Sequence, residues 1–141
     1  MKPGKKKRVG ITGEIYMKYS KLGNDDIESF LLRQGMEPYS GGFVNYCLYL
    51  VDTERYKAEK YQHNPIMAKA CAFVLHRLCE AQKHLLTVIG ETDRFQTDLP
   101  FPELKEKVQG ILAEGCNTGD GWLIAAEVIQ YVEKGCGSVL I

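Results

Sequence analysis

The chain has no surplus of charge and no long apolar run. Its 18 Lys and Arg are matched by 18 Asp and Glu, so no net field favours nucleic acid or an anionic lipid surface. No stretch approaches the roughly 20 apolar residues that span a bilayer, and the N-terminus lacks the apolar core of a signal peptide. Five cysteines, at 47, 71, 79, 116 and 136, are an odd number at irregular spacings, and none form a CxxC pair. A zinc ribbon, a thioredoxin-type redox pair and a four-thiolate iron–sulfur site are therefore all without support. Free thiols are expected, in the reducing cytoplasm. Three histidines, His63, His76 and His84, show no ligand spacing; His76 and Cys79 share a helical face, but two ligands do not make a site. A GxGxxG fingerprint is also missing, which removes the usual sign of a dinucleotide fold.

What remains is an ordinary globular balance over 141 residues, 45% apolar and 26% charged, enough for one domain with a sizeable core. The run Lys5-Lys6-Lys7-Arg8 reads as part of a flexible basic lead-in over residues 1–8. Residues 8–12, RVGIT, form a short apolar run closed by Gly13, as in a buried parallel strand. Asn24 or Asp25 is placed to cap a helix whose Ile27, Phe30, Leu31 and Leu32 keep helical spacing, with Gly35 as its stop. Residues 36–39 return as a second strand, ending at Gly41-Gly42, and the crossover between the strands should be right-handed.

The middle of the chain reads as helix over 45–61 and again over 67–89. The second of these is apolar on most sides, and such a helix is normally wedged between other elements. A two-proline loop over 97–102 leads into a helix over 102–113, stopped at Gly115. Gly119-Asp120-Gly121 then precedes a helix over 122–134, closed by Gly135, and residues 139–141 begin another buried strand. The expected fold is α/β, a Rossmann-like or flavodoxin-like three-layer arrangement with a short parallel sheet of order 2-1-3. A strand with no return element is expected to mean a truncated domain.

Ligands of open parallel sheets bind beyond the carboxyl ends of the strands. Gly13, Glu14, Gly41, Gly42, Gly119, Asp120 and Gly121 are the residues expected at that edge. Glycine permits close backbone approach, and the start of the last helix offers N–H groups to a phosphate or a CoA-type ligand. Turn chemistry alone accounts for the same glycines. Asp120 brings negative charge to the helix start, where it either caps the helix or repels an anion. Glu14 has three readings: ligand contact, a helix cap, or a pair with Lys18. With no second catalytic group in reach, catalysis is not expected. Trp122 reads as core, Cys71 and Cys79 as small buried apolar residues, and the tyrosines 46, 49, 56 and 61 as either a partner surface or an internal helix contact.

Two segments carry a resemblance. Val9-Gly10-Ile11-Thr12-Gly13-Glu14-Ile15-Tyr16, with Gly23-Asn24 and the helix ending at Gly35, resembles the opening of the uncharacterised domain attached to CoA-enzyme activases. That domain is in turn similar to the subunits of 2-hydroxyacyl-CoA dehydratases. Asn117-Thr118-Gly119-Asp120-Gly121-Trp122-Leu123, continuing through Glu127 to Gly135, resembles the family's GEGWL…E helix, with Asp120 in place of the usual Glu. The resemblance covers about a third of the chain by motif. It implies a non-catalytic N-terminal subdomain that docks a partner or cofactor, with a dehydratase component or the rest of a longer protein as partner. The alternatives are a dehydratase-like fragment touching an acyl-CoA and a stand-alone module that binds a phosphorylated small molecule. The family's cysteine-bearing segment follows the strand at 139–141, so an iron–sulfur cluster is expected only in a longer protein. No cofactor is expected in this chain.

Overall fold

A computed structural model describes residues 6–92 and 97–141. Lys5 and the rest of the expected lead-in up to it lie outside the described residues. Three short strands, β1 (Arg8–Ile11), β2 (Glu37–Ser40) and β3 (Ser138–Leu140), form one sheet in the order β2-β1-β3. Both pairings are parallel: Val9 faces Pro38 on one side and Ser138 on the other. The α/β class and the strand order agree with the sequence reading. β1 is central and covered on both faces; Val9 and Ile11 are buried, whereas β2 and β3 are partly open. The outer strands start one residue away from their expected positions.

Among the described residues six helices accompany the sheet: α1 (Ile15–Tyr19), α2 (Ile27–Arg33), α3 (Phe43–Lys60), α4 (Pro65–Gly90), α5 (Phe101–Val108) and α6 (Gly121–Glu133). The cap of α2 differs from the sequence reading. Asp26 occupies the cap position with φ of 51° and makes no side-chain cap bond, and Asp25 is left-handed as well. Asn24 serves from further back: its Oδ1 accepts weakly from the Ile27 N–H at 3.4 Å, and its amide donates to the Met17 carbonyl at 2.9 Å. α5 stops five residues early. Gly110 takes φ of 88°, and the N–H groups of Ile111 and Leu112 both turn back onto the Val108 carbonyl.

The main core lies between helices. Leu48 and Tyr49 of α3 meet Phe101, Leu104 and Val108 of α5 and Trp122, Leu123 and Ala126 of α6. Trp122 is 2% exposed and stacks edge-on to Tyr49, so it is core, as expected. A smaller cluster of Val9, Ile11 and Leu31 seats α2 on the sheet.

One expectation fails outright. α4 is not wedged between elements: it packs along α3 and buries only Gln82. Gln82 donates to Asn45 Oδ1 at 2.6 Å and accepts from the Phe101 N–H at 2.9 Å, tying α4 to α3 and α5. Ile66, Met67, Phe73, Val74, Leu78, Leu85 and Val88 stay exposed. Cys71 and Cys79 are correspondingly half-buried, and Cys79 packs against the edge of the main core.

Candidate functional site at the carboxyl edge of the sheet

The turns leaving β1 and β2 and the start of α6 meet at one edge of the sheet. The organising group is buried. The Lys18 ammonium, on α1, donates to Glu127 Oε1 of α6 at 2.6 Å, and both side chains are about 5% exposed or less. The Thr12 hydroxyl, just past β1, donates to Glu127 Oε2 at 2.5 Å. A lysine and a carboxylate withdrawn from water persist together only because each satisfies the other. The pair thereby clamps α1 to α6 across the end of β1.

Gly41 sits directly on this clamp. A Cβ there would fall 2.9 Å from the Tyr131 hydroxyl and 3.0 Å from Glu127 Oε1. Its N–H donates to Tyr131 Oη at 2.6 Å, and its carbonyl accepts from the Tyr19 hydroxyl at 2.5 Å. Tyr131 in turn donates to the Ile11 carbonyl at 3.3 Å and is fully buried. Burial, followed by the nearby Glu127 charge, pushes its pKa well up, so the phenol keeps its proton. Gly10 makes room for the ring, since a Cβ there would stand 2.5 Å from Tyr131 Cδ2.

Glu14 caps α1, accepting from the N–H groups of Tyr16 at 2.9 Å and Met17 at 3.3 Å. Of its three readings the cap is realised, and Lys18 pairs elsewhere. Asp120 makes no cap bond to its own helix; instead the Ile15 N–H of α1 lies against its carboxylate. Burial raises the Asp120 pKa, the Ile15 contact opposes this, and Glu14 and Glu127 raise it further. Gly119 and Gly121 serve the loop. The Gly119 carbonyl accepts from the Tyr49 hydroxyl at 2.9 Å, and a Cβ at Gly121 would fall 1.9 Å from the Cys116 carbonyl oxygen.

Gly13, Glu14, Gly41 and Asp120 thus gather around the Lys18–Glu127 clamp. Gly42 turns toward Asp98, to which its N–H donates at 2.6 Å, and Gly119 turns toward Tyr49. Four of the backbone donors at this edge are engaged. The N–H groups of Gly41 and Gly42 are bonded, that of Trp122 donates to Cys116 O, and that of Leu123 to Asp120 O. Beside them opens a depression of about 400 Å3. Its walls are mostly apolar, from Ile11, Met17, Ile27, Ile124 and Ile141, with Glu14 and Asn24 at the polar margin.

A larger depression, about 580 Å3, lies at the opposite end of the strands against Lys6, Lys7 and Arg8. Lys134 in its wall is committed to Thr97 O and the Tyr39 hydroxyl. The carboxyl edge is the better candidate, because strand ends and the start of a long helix converge there.

Sequence reasoning missed Lys18, Thr12 and Tyr131. A signal existed for Glu127, which interrupts the apolar run from Trp122 to Ile129 and so demands a buried partner. Among the described residues no group of three or more His, Cys, Asp or Glu side chains is placed to hold a metal ion. No described helix is long and apolar enough to cross a membrane. No family model, curated protein or solved structure matches this chain.

Proposed function

We propose that the chain is a non-catalytic, Rossmann-like docking module of the kind attached to CoA-enzyme activases, acting in the cytoplasm. On this reading its carboxyl edge receives an apolar side chain of a dehydratase component. The observation that carries the reading is the character of the edge: a mostly apolar depression with the Glu14 carboxylate at its margin. Such an edge suits an apolar residue flanked by a lysine or arginine and suits a phosphate poorly.

Within the segment that resembles the activase-linked family, Trp122 fills the core and Glu127 holds Lys18. Both roles would be shared by any protein built on that segment. The same depression also has room for a short acyl chain, which supports the acyl-CoA alternative; its phosphates would then have to stay outside, away from the Glu14 carboxylate.

Calorimetric titration against a purified 2-hydroxyacyl-CoA dehydratase component tests the proposal. Met17 is half-exposed in the wall of the depression, so Met17→Glu should weaken binding about tenfold, or ~1.4 kcal/mol, without unfolding the chain. Absence of binding, or binding indifferent to Met17→Glu, would overturn it. Amide shifts at Gly13, Glu14 and Asp120 induced by CoA or ATP alone would favour the phosphate-binding reading instead.

A further inference from the structure

The bare face of α4 follows a rule. Met67, Val74, Ala81 and Val88 recur every seven residues, and Cys71, Leu78 and Leu85 recur every seven at an offset of four. Together they make an apolar seam at alternating three- and four-residue spacing along the whole helix, the repeat of helices that pack on one another side by side. It is a second seam. The one that meets α3 runs through Ala68, Leu75, Gln82 and Ile89, turned away by about one residue's rotation. Lys69, His76 and Lys83, again seven apart, mark the opposite, solvated side. Along the exposed seam Met67, Val74, Leu78, Leu85 and Val88 are each 40 to 50% exposed, an even strip with no charged residue in it. Leu50 and Val51 of α3 extend it sideways, where a mostly apolar groove of about 400 Å3, with Glu54 in its wall, runs between the two helices.

We infer that this face is the contact between two copies of the chain, packed as an α3–α4 pair against an α3–α4 pair. Area supports it. The 26 residues of α4 span about 39 Å, and two helices side by side are about 20 Å across. The face therefore offers on the order of 700 Å2 per copy, close to the roughly 800 Å2 each partner contributes to a stable interface. Charge supports it as well. The seam positions themselves carry no charged side chain, and a chain with 18 basic and 18 acidic residues does not repel its own copy at long range. A heptad seam, by contrast, is complementary to itself.

Sedimentation velocity on the chain at 5 to 100 μM tests this. The wild type should sediment at twice the 15.9 kDa of one copy. Leu78→Glu and Leu85→Glu, each on the seam, should shift it to a single copy while circular dichroism keeps its helical signal. Phe73→Glu, on α4 but off the seam, should leave the dimer in place. Wild type at the mass of one copy throughout the range would overturn the inference, whatever else covers this face. So would a dimer that survives both seam variants, or one that Phe73→Glu dissolves equally well.

Discussion

α6 and α4 are both apolar helices, yet they are held in different ways. α6 is wrapped: Trp122, Leu123, Ala126, Glu127, Gln130 and Tyr131 are all buried, against α3, α5 and the sheet. α4 is twice as long and buries one residue, Gln82. Both carry apolar faces, and α6 is the more apolar of the two. They differ further in the polar residues set among the apolar ones. Glu127, Gln130 and Tyr131 each find a partner on another element: Lys18, the Leu99 N–H and the Gly41 N–H. On α4, among the described residues, only Gln82 does so, and the fold closes over it. A buried polar group left unpaired is costly, so a paired one fixes where a helix sits.

Substitutions on the two helices should separate sharply. The largest effect is expected for Lys18→Met, which strands the Glu127 carboxylate in the interior and should cost about 3–5 kcal/mol in urea unfolding. Replacing both partners, Lys18→Met with Glu127→Leu, should recover most of that loss. A double variant no better than the single one would show that the pair is not the clamp described. Trp122→Ala should cost a similar amount, ~3–5 kcal/mol, by opening a cavity in the helical core.

Tyr131→Phe removes the acceptor for the Gly41 N–H and should cost about 1–3 kcal/mol. An unchanged unfolding midpoint would mean that the edge does not depend on that bond. On α4, Phe73→Ser should stay within about 0.5 kcal/mol, since the ring is exposed and lies off the seam.

Asp120 gives a pH-dependent effect of smaller size. Its pKa is raised in the folded chain, so the folded state binds more protons than the unfolded one and the contribution of this group to stability falls as pH rises. Asp120→Asn keeps an acceptor for the Ile15 N–H and loses the charge. It should therefore raise the thermal midpoint at neutral pH, with the advantage closing as pH drops through the usual carboxylate range. An advantage that grows on acidification would contradict the raised pKa.

The sheet was legible in the sequence because its signal is local. The apolar run at Val9 to Ile11, closed by Gly13, and the glycines that stop α2 and α6 determine strand and helix within a few residues. The turns of the edge were legible for the same reason. The clamp was not, because Lys18 and Glu127 lie 109 residues apart and a lysine beside Tyr16, Met17 and Tyr19 looks like any surface lysine. α5 was read too long because Ile111 and Leu112 continue its apolar spacing past Gly110, whose positive φ ends it. α4 was misplaced for a related reason: two apolar seams on one helix look, in sequence, the same as burial on all sides. Periodicity reports that a face is apolar, and does not report what lies against it.

Hydrogen exchange at two protein concentrations tests the contrast between the helices most directly. If α6 is held by its own chain and α4 by a second copy, raising the protein from 1 to 100 μM should slow exchange across α4 strongly and across α6 far less. Protection of α4 that is the same at both concentrations would contradict the account.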